Sequence, residues 1–496
     1  MFHSKTFLVI LLGLITFAKS QHAFSLSGPL APWQTSALGY AAPVGNTNLG
    51  GPMNLDEEYR WNVPTVHYGF TADFLNFFGL RGAEEIEKAI AIINDLPTAD
   101  QINVNDYPLE SIRENHRARS LGILDLKTHA LRELINKMGL ADPMRYVYTL
   151  RNRWVEENIT NYFVTMRNFD PETWDYSPFV NGTLYTYEVV DPYEVGNIAI
   201  AINSPVDPLE QFFPKTLPVA ANSPPDGSVT LFPGAFITGL TRDDVAGLKY
   251  IYRSSNYNTE TALGDISGAG GGLLGGGGGG SGIGDFPGTV TSPGGGVYDF
   301  PFLIATNTTA AGGGNLGGQV TATNAFINPA LRAGINKVTF LRSDYDSLIG
   351  AFFQPFTVRF SETVRTNDQV RSQSLIRTIS QPDFIFDAAD IQGPDAFNEL
   401  MAFEISPNST WLSSDEFDGI TGDDAGPGII APSMTMTFNN VGPLFLNQQG
   451  EGSYFLREGD ITSAPLLAWG SFDGTTNAPI VYPDKITIED LERLVR

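Results

Sequence analysis

Residues 271–284 read GGLLGGGGGGSGIG, and the 33 residues from 264 to 296 hold 17 glycines. No apolar side chains recur there at a helical or strand period, so the stretch reads as a tether. A glycine-rich chain of that length spans about 30 Å root-mean-square, enough for its flanks to move independently. No GK[ST] closes the run and no strand-then-helix pattern surrounds it, which separates it from phosphate-cradling loops. The expectation is therefore two domains, 60–258 and 298–496, joined by a flexible linker over 259–297.

Upstream of the tether, helix and strand patterns alternate. TVHYGF (Thr65 to Phe70) reads as a strand. GAEEIEKAIAIINDLP reads as a helix, with Ile86, Ala89, Ile90 and Ile93 on one face, the charges of Glu84, Glu85, Glu87 and Lys88 on the other, and Pro97 after it. A second helical pattern runs from about Pro108 to Gly139, carried by Leu124, Leu131, Leu134, Ile135 and Met138. YFVTMRNF and TLYTYEVV are strand-like, and LTRDDVAGLKYIY reads as a short helix capped by Thr241 with Asp243 and Asp244 in its first turn. Downstream, short alternating segments such as KVTFLR, FTVRFSETV, SMTMTFNNV and PLLAWGSF predict an all-β sandwich, immunoglobulin-like or jelly-roll, that ends in one amphipathic helix, KITIEDLERLVR. The fold class expected is thus an α+β front domain followed by a β-sandwich.

The N-terminus bounds location. Lys5 precedes the apolar run FLVILLGLITF (Phe7 to Phe17), and small residues Ala18 and Ser20 precede Gln21. That is the layout of a secretory signal peptide over 1–20, too short in its apolar core to span a bilayer. The mature chain is expected to begin at Gln21 with an extension over 21–59, to lack a membrane span, and to be secreted, extracellular, periplasmic or held at the cell surface. Without the leader, 28 basic residues face 55 acidic ones, a net charge of −27. That charge disfavours nucleic acid and anionic lipid, whose phosphates it repels. With no cysteine, stability rests on burial rather than on disulfides or thiolate metal sites.

The front half resembles the matrixin branch of the zincin metalloproteases, over roughly residues 60–252. RWNVPTVHYGF followed by AEEIEKAIAIIN is similar to that family's first strand and first long helix, and GLTRDDVAGLKYIY to its last helix. Between them, RELINKMGLAD (Arg132 to Asp142) lies on the pattern HExxHxxGxxH with the glycine in register. In that pattern two histidines four apart on a helix and a third beyond the glycine hold zinc. The glutamate takes a proton from the metal-bound water, whose pKa zinc lowers to about 7.

The resemblance puts the first ligand at Arg132, the second at Asn136 and the third at Asp142, with Glu133 as general base and Gly139 at the turn; none of the three is a histidine. An arginine at a ligand position repels a cation. No methionine lies between Met166 and Met401 to form the family's methionine turn, and the stretch from Asp142 to Gly239 is longer than the family's.

Other chemistry has few residues to work with. His116, His129 and Glu133 form a conceivable zinc set, but thirteen residues along one continuous helix turn by roughly 220°, so only a break at Gly122 lets the two histidines meet. A local pairing of His129 with Glu133 is the plainer reading. SSDEFDGITGDD gathers Asp415, Glu416, Asp418, Asp423 and Asp424, oxygen ligands suited to calcium but without EF-hand spacing. No GxSxG elbow is present.

No cofactor is expected beyond zinc or calcium at those positions. The function expected is a secreted, catalytically inactive metalloprotease-like protein that binds an extracellular protein or polysaccharide, or acts structurally. The alternatives are an active secreted hydrolase, foremost a divergent zinc metallopeptidase, and a self-assembling structural surface protein.

Overall fold

The computed structural model describes residues 23–28, 33–40, 51–191, 198–212, 214–221, 233–260, 262, 266–268, 327, 330–345, 353–366, 369–388, 401–402, 434–438, 468–483 and 486–495. The fold mixes α and β, with strands outnumbering helices and several separate sheets. Strand β1 (Phe24–Gly28) precedes β2 (Thr65–Phe70) and helix α1 (Ala72–Asn94). Thr71 caps α1 by accepting from the Phe74 amide, and Gly79, at φ 64°, interrupts it ahead of the stretch whose isoleucines face the core.

The expected long helix from Pro108 to Gly139 is instead broken into pieces. Ile112–Glu114 is a strand and His116–Ser120 a short helix. Gly122 then turns the chain at φ 66°, and β3 (Ile123–Asp125) leads into α2 (Leu126–Lys137). Asn115 and Asp125 stop the continuous helix, because each accepts from the amide three residues on and so starts a new one. The strands expected at YFVTMRNF and TLYTYEVV are present, the first in a hairpin of 148–156 with 159–166. Helix α3 (Arg242–Tyr252) forms where LTRDDVAGLKYIY predicts it, with Thr241 and Asp244 as a reciprocal capping box.

Among the described residues, sheets take strands from both sides of the glycine-rich stretch. β4 (Tyr257–Glu260) lies ahead of it and β5 (Ile266–Gly268) within its first residues; beyond it come β6 (Ala330–Ala333), β7 (Thr339–Arg342), β8 (Phe356–Thr366), β9 (Gln369–Ile379), β10 (Phe384–Asp387), β11 (Met434–Thr437) and β12 (Ala468–Ser471). One five-stranded sheet runs β4-β6-β8-β9-β5, so one edge comes from before the stretch, the other from its start, and the middle from after it. In another, β2 sits between β7 and β10, parallel to both. Strand β12 pairs in parallel with β3. The described strands after residue 297 therefore complete sheets begun by the front half instead of closing a sandwich of their own.

The core is shared in the same way. Phe70, Phe74 and Phe78 from the front half meet Phe386, Phe438, Trp469 and Tyr482 from the back half, with centroids 5.4 Å apart for Phe70–Phe386 and 5.3 Å for Phe78–Tyr482. Aromatic residues thus serve packing, in offset and edge-on pairs that add to their burial. Buried charges also join the halves. Arg60 donates to Glu260 Oε1 at 2.5 Å, and to the carbonyls of Asn256 and Arg332 at 3.0 Å each. Arg332, paired with Glu362 within the back half, donates to the Glu260 carbonyl at 3.2 Å, and Arg377, paired with Asp383, donates to the Thr65 carbonyl at 3.2 Å.

Candidate functional site

The RELINKMGLAD positions sit on the second half of α2 and the turn after it. Asp125 starts the helix: its carboxylate accepts from the Thr128 amide at 2.9 Å and hydroxyl at 2.6 Å, and from the amide of Phe472 in the back half at 3.3 Å. Burial pushes its pKa up to about 6 despite these bonds. Leu131, Leu134 and Ile135 bury the helix in the main core. At its far end Trp61 Nε1 donates to the Lys137 carbonyl at 3.0 Å and Tyr252 Oη to the Met138 carbonyl at 2.8 Å, supplying donors that a helix C-terminus lacks. Gly139 ends the helix at φ +105°, and a Cβ there would lie 2.1 Å from the Tyr59 carbonyl oxygen. Only glycine fits that turn.

Arg132 and Asp142 are both buried. Burial lowers the Arg132 pKa, and Asp142 is the foremost of the acidic charges that oppose this, ahead of Glu133 and Asp244. Asp142 also accepts from the amides of Met144 at 2.9 Å and Arg145 at 3.2 Å, which fixes the turn after Gly139. Asn136 is half-buried between them in sequence. The first and third ligand positions of the resemblance thus carry opposite charges that act on one another. Glu133, half-buried, has its pKa raised by burial, against the pull of Lys137 and Arg132. Lys137 is buried four residues on, and its pKa is lowered by burial and opposed by Glu133.

The proposed zinc histidines do not meet Glu133 as a set. Gly122 does break the helix, yet His116 stands exposed with Nδ1 3.2 Å from Glu114 Oε1. His129 is buried with its ring edge-on to Trp469, centroids 5.0 Å apart. Among the described residues no three His, Asp or Glu side chains gather to hold a metal. Asp415, Glu416, Asp418, Asp423 and Asp424 lie outside the described residues. Asp243 and Asp244 do more than the expected helix-dipole role. Asp243 accepts from the amides of Ala23 and Asn181, and Asp244 from those of Val219, Ala220 and Thr241, so both fasten loops to α3 from inside the core.

Sequence reading missed two features of this site. Lys137 was legible as the i+4 partner of Glu133. Trp469 was not, because nothing local to it announces that β12 pairs with β3.

Burial drives the His129 pKa down to about 3, with the Arg132 charge a second cause. The unfolded side chain titrates near ~6.5, so between about 6.5 and 3 the unfolded chain binds a proton that the folded one refuses, and stability falls with pH by about 1.4 kcal/mol per unit. Asp125 acts oppositely from about 6 downward, since there the folded carboxyl takes up a proton before the unfolded one does. A His129→Gln variant should therefore lose stability less steeply than the parent from pH 6.5 to 5 in urea titrations. Parallel slopes for the two would show that His129 is not held neutral.

No family model, curated protein or solved structure matches the chain.

Proposed function

We propose that this is an exported, catalytically inactive protein with a zincin-like front layout, acting outside the cell by binding or by structural presence. One observation carries the reading: buried Arg132 occupies the place of the first imidazole, and the carboxylate that opposes its desolvation is Asp142, in the place of the third. A cation entering there would meet a guanidinium, and Asp142 is already engaged by two backbone amides. The half-buried Glu133 then has no metal-bound water from which to take a proton. Trp469 of the back half, edge-on to His129 three residues before Arg132, supports the same reading, since it gives that stretch of helix a packing role.

The test is a cleavage assay on the whole exported chain, residues 21–496, incubated with zinc and a mixture of unstructured peptides. The expected result is no cleavage above the blank, with or without a zinc chelator. Chelator-sensitive cleavage would establish the alternative, a divergent metallopeptidase.

A further inference from the structure

Strand β8 pairs with β9 along all eleven of its residues, from Phe356↔Ile379 to Thr366↔Gln369. On its other side it pairs with β6 only at Arg365↔Leu331 and Val364↔Arg332. Beyond Arg332 the chain is drawn off toward the end of α3: the Gly334 amide donates to the Asn256 carbonyl at 2.8 Å and the Asn336 amide to the Tyr252 carbonyl at 2.7 Å. The edge of β8 from Phe356 to Thr363 is left without a strand partner among the described residues. Where β6 parts from β8, a cavity of about 330 Å³ opens, lined by Asn62, Tyr257, Gly334, Ser361, Glu362 and Thr363 among others.

The hairpin closes on Thr366–Gln369 across two residues, which makes that pair a doubly bonded one. Counting back, the even-numbered residues bond to β9, and Thr357, Arg359, Ser361 and Thr363 turn their N–H and C=O groups to the open side. Their side chains share one face, on which Thr357, Arg359 and Ser361 are exposed. Arg365 continues that face, its guanidinium 4.2 Å from the Tyr257 ring centre, and Arg359 makes no ion pair with any described residue. On the opposite face Phe360 packs against the main core, while Val358 is half-buried and Phe356, edge-on to His67 at 5.0 Å between ring centres, stays exposed.

From this geometry we propose that the open edge of β8 binds an extended peptide as an added strand, with acidic side chains beside Arg359 and apolar ones on the opposite face, beside Phe356 and Val358. Unpaired peptide groups in a row recognise another strand, and alternate side chains set its identity. Acidic residues are selected by Arg359, in the middle of the open stretch; Arg365, whose strand edge is taken by Leu331 of β6, lies beyond it. The chain's overall negative charge does not cancel this attraction, because physiological salt screens charges beyond about 8 Å. The inference gives the binding role above a partner class, but at a separate site; failure here leaves the outcome of the peptide-cleavage assay untouched.

The test uses the whole exported chain and a fluorescent octapeptide of alternating valine and glutamate, with the valine–lysine peptide and a backbone N-methylated valine–glutamate peptide as controls, read by anisotropy. Saturable binding is expected, at least about tenfold weaker for either control, a difference of about 1.4 kcal/mol. Ser361→Pro removes one outward N–H while leaving the β9 ladder intact, and should weaken binding at least about tenfold. Arg359→Glu, which keeps the backbone, should reverse the preference between glutamate and lysine peptides. Absence of binding up to about 1 mM would mean that Arg359 merely guards the edge against pairing, and would overturn the proposal. Equal affinity for the acidic and basic peptides, or unaltered binding by both variants, would overturn it too. Concentration-dependent self-association abolished by Ser361→Pro would assign the edge to a second copy of the chain instead.

Discussion

A chain cut to residues 21–258 should fail to fold. Strand β2 would lose both of its neighbours, β7 and β10, and the main core would lose Phe384, Phe386, Met434, Met436, Phe438, Trp469 and Tyr482, all buried. Each such side chain contributes about 1.5–3 kcal/mol when fully buried, so their summed loss exceeds ~10 kcal/mol. That is comparable with the whole stability of a typical domain, about 5–15 kcal/mol. The fragment should show weak near-ultraviolet circular dichroism and no sigmoidal urea transition, whereas the full chain shows both. A cooperatively unfolding fragment with native aromatic signals would restore the independent front domain read from the glycine-rich stretch.

Breaking the Arg60–Glu260 pair should have the next largest effect. Both side chains are almost wholly buried, and Arg60 also satisfies the carbonyls of Asn256 and Arg332. Arg60→Met leaves Glu260 charged inside the protein with its guanidinium gone, a change that costs about 3–5 kcal/mol. The double variant Arg60→Met, Glu260→Leu removes both charges and should recover a large part of the loss, because a buried pair rarely outperforms apolar packing of similar volume. Urea midpoints of the parent, the two single variants and the double variant give the coupling directly. A single Arg60→Met variant within about 0.5 kcal/mol of the parent would show that the pair is solvated, the cost typical of surface changes.

Local elements were largely legible in the sequence, and their partners were not. The isoleucine spacing of 86–93, the capping pattern of 241–244 and the alternation of FTVRFSETV each follow from side chains close in sequence, and each element formed. The partners of TVHYGF lie near residues 340 and 385, in parallel pairing that nothing in its own six residues encodes. A glycine-rich composition likewise reports only that its own residues bring no core, and is silent on whether the flanking segments meet. Gly122 and Asp125 did break the expected long helix, and both were visible as a turn former and a cap. The apolar spacing that suggests one long helix, Leu131, Leu134 and Ile135, belongs to α2 alone, and Leu124 lies in the strand before it.

The candidate site divides in the same way. Gly139 ends the helix, a backbone role that a glycine after an apolar helical pattern announces. Arg132 and Asp142 were named as misfits to a metal site, but their mutual electrostatic relation depends on the turn between them and on burial from elsewhere in the chain. The ring of Trp469 over His129 comes from more than three hundred residues away in sequence.

Zinc content of the chain from residue 21 to 496, measured by elemental mass spectrometry after equilibration with zinc and gel filtration, addresses the nature of this site most directly. With Arg132 and Asp142 in place of two imidazoles, far less than about one zinc per chain should be retained, and Arg132→His alone should not restore it. Stoichiometric zinc that survives filtration, is stripped by chelator and is lost in Glu133→Gln or Asp142→Ala variants would contradict the non-catalytic reading.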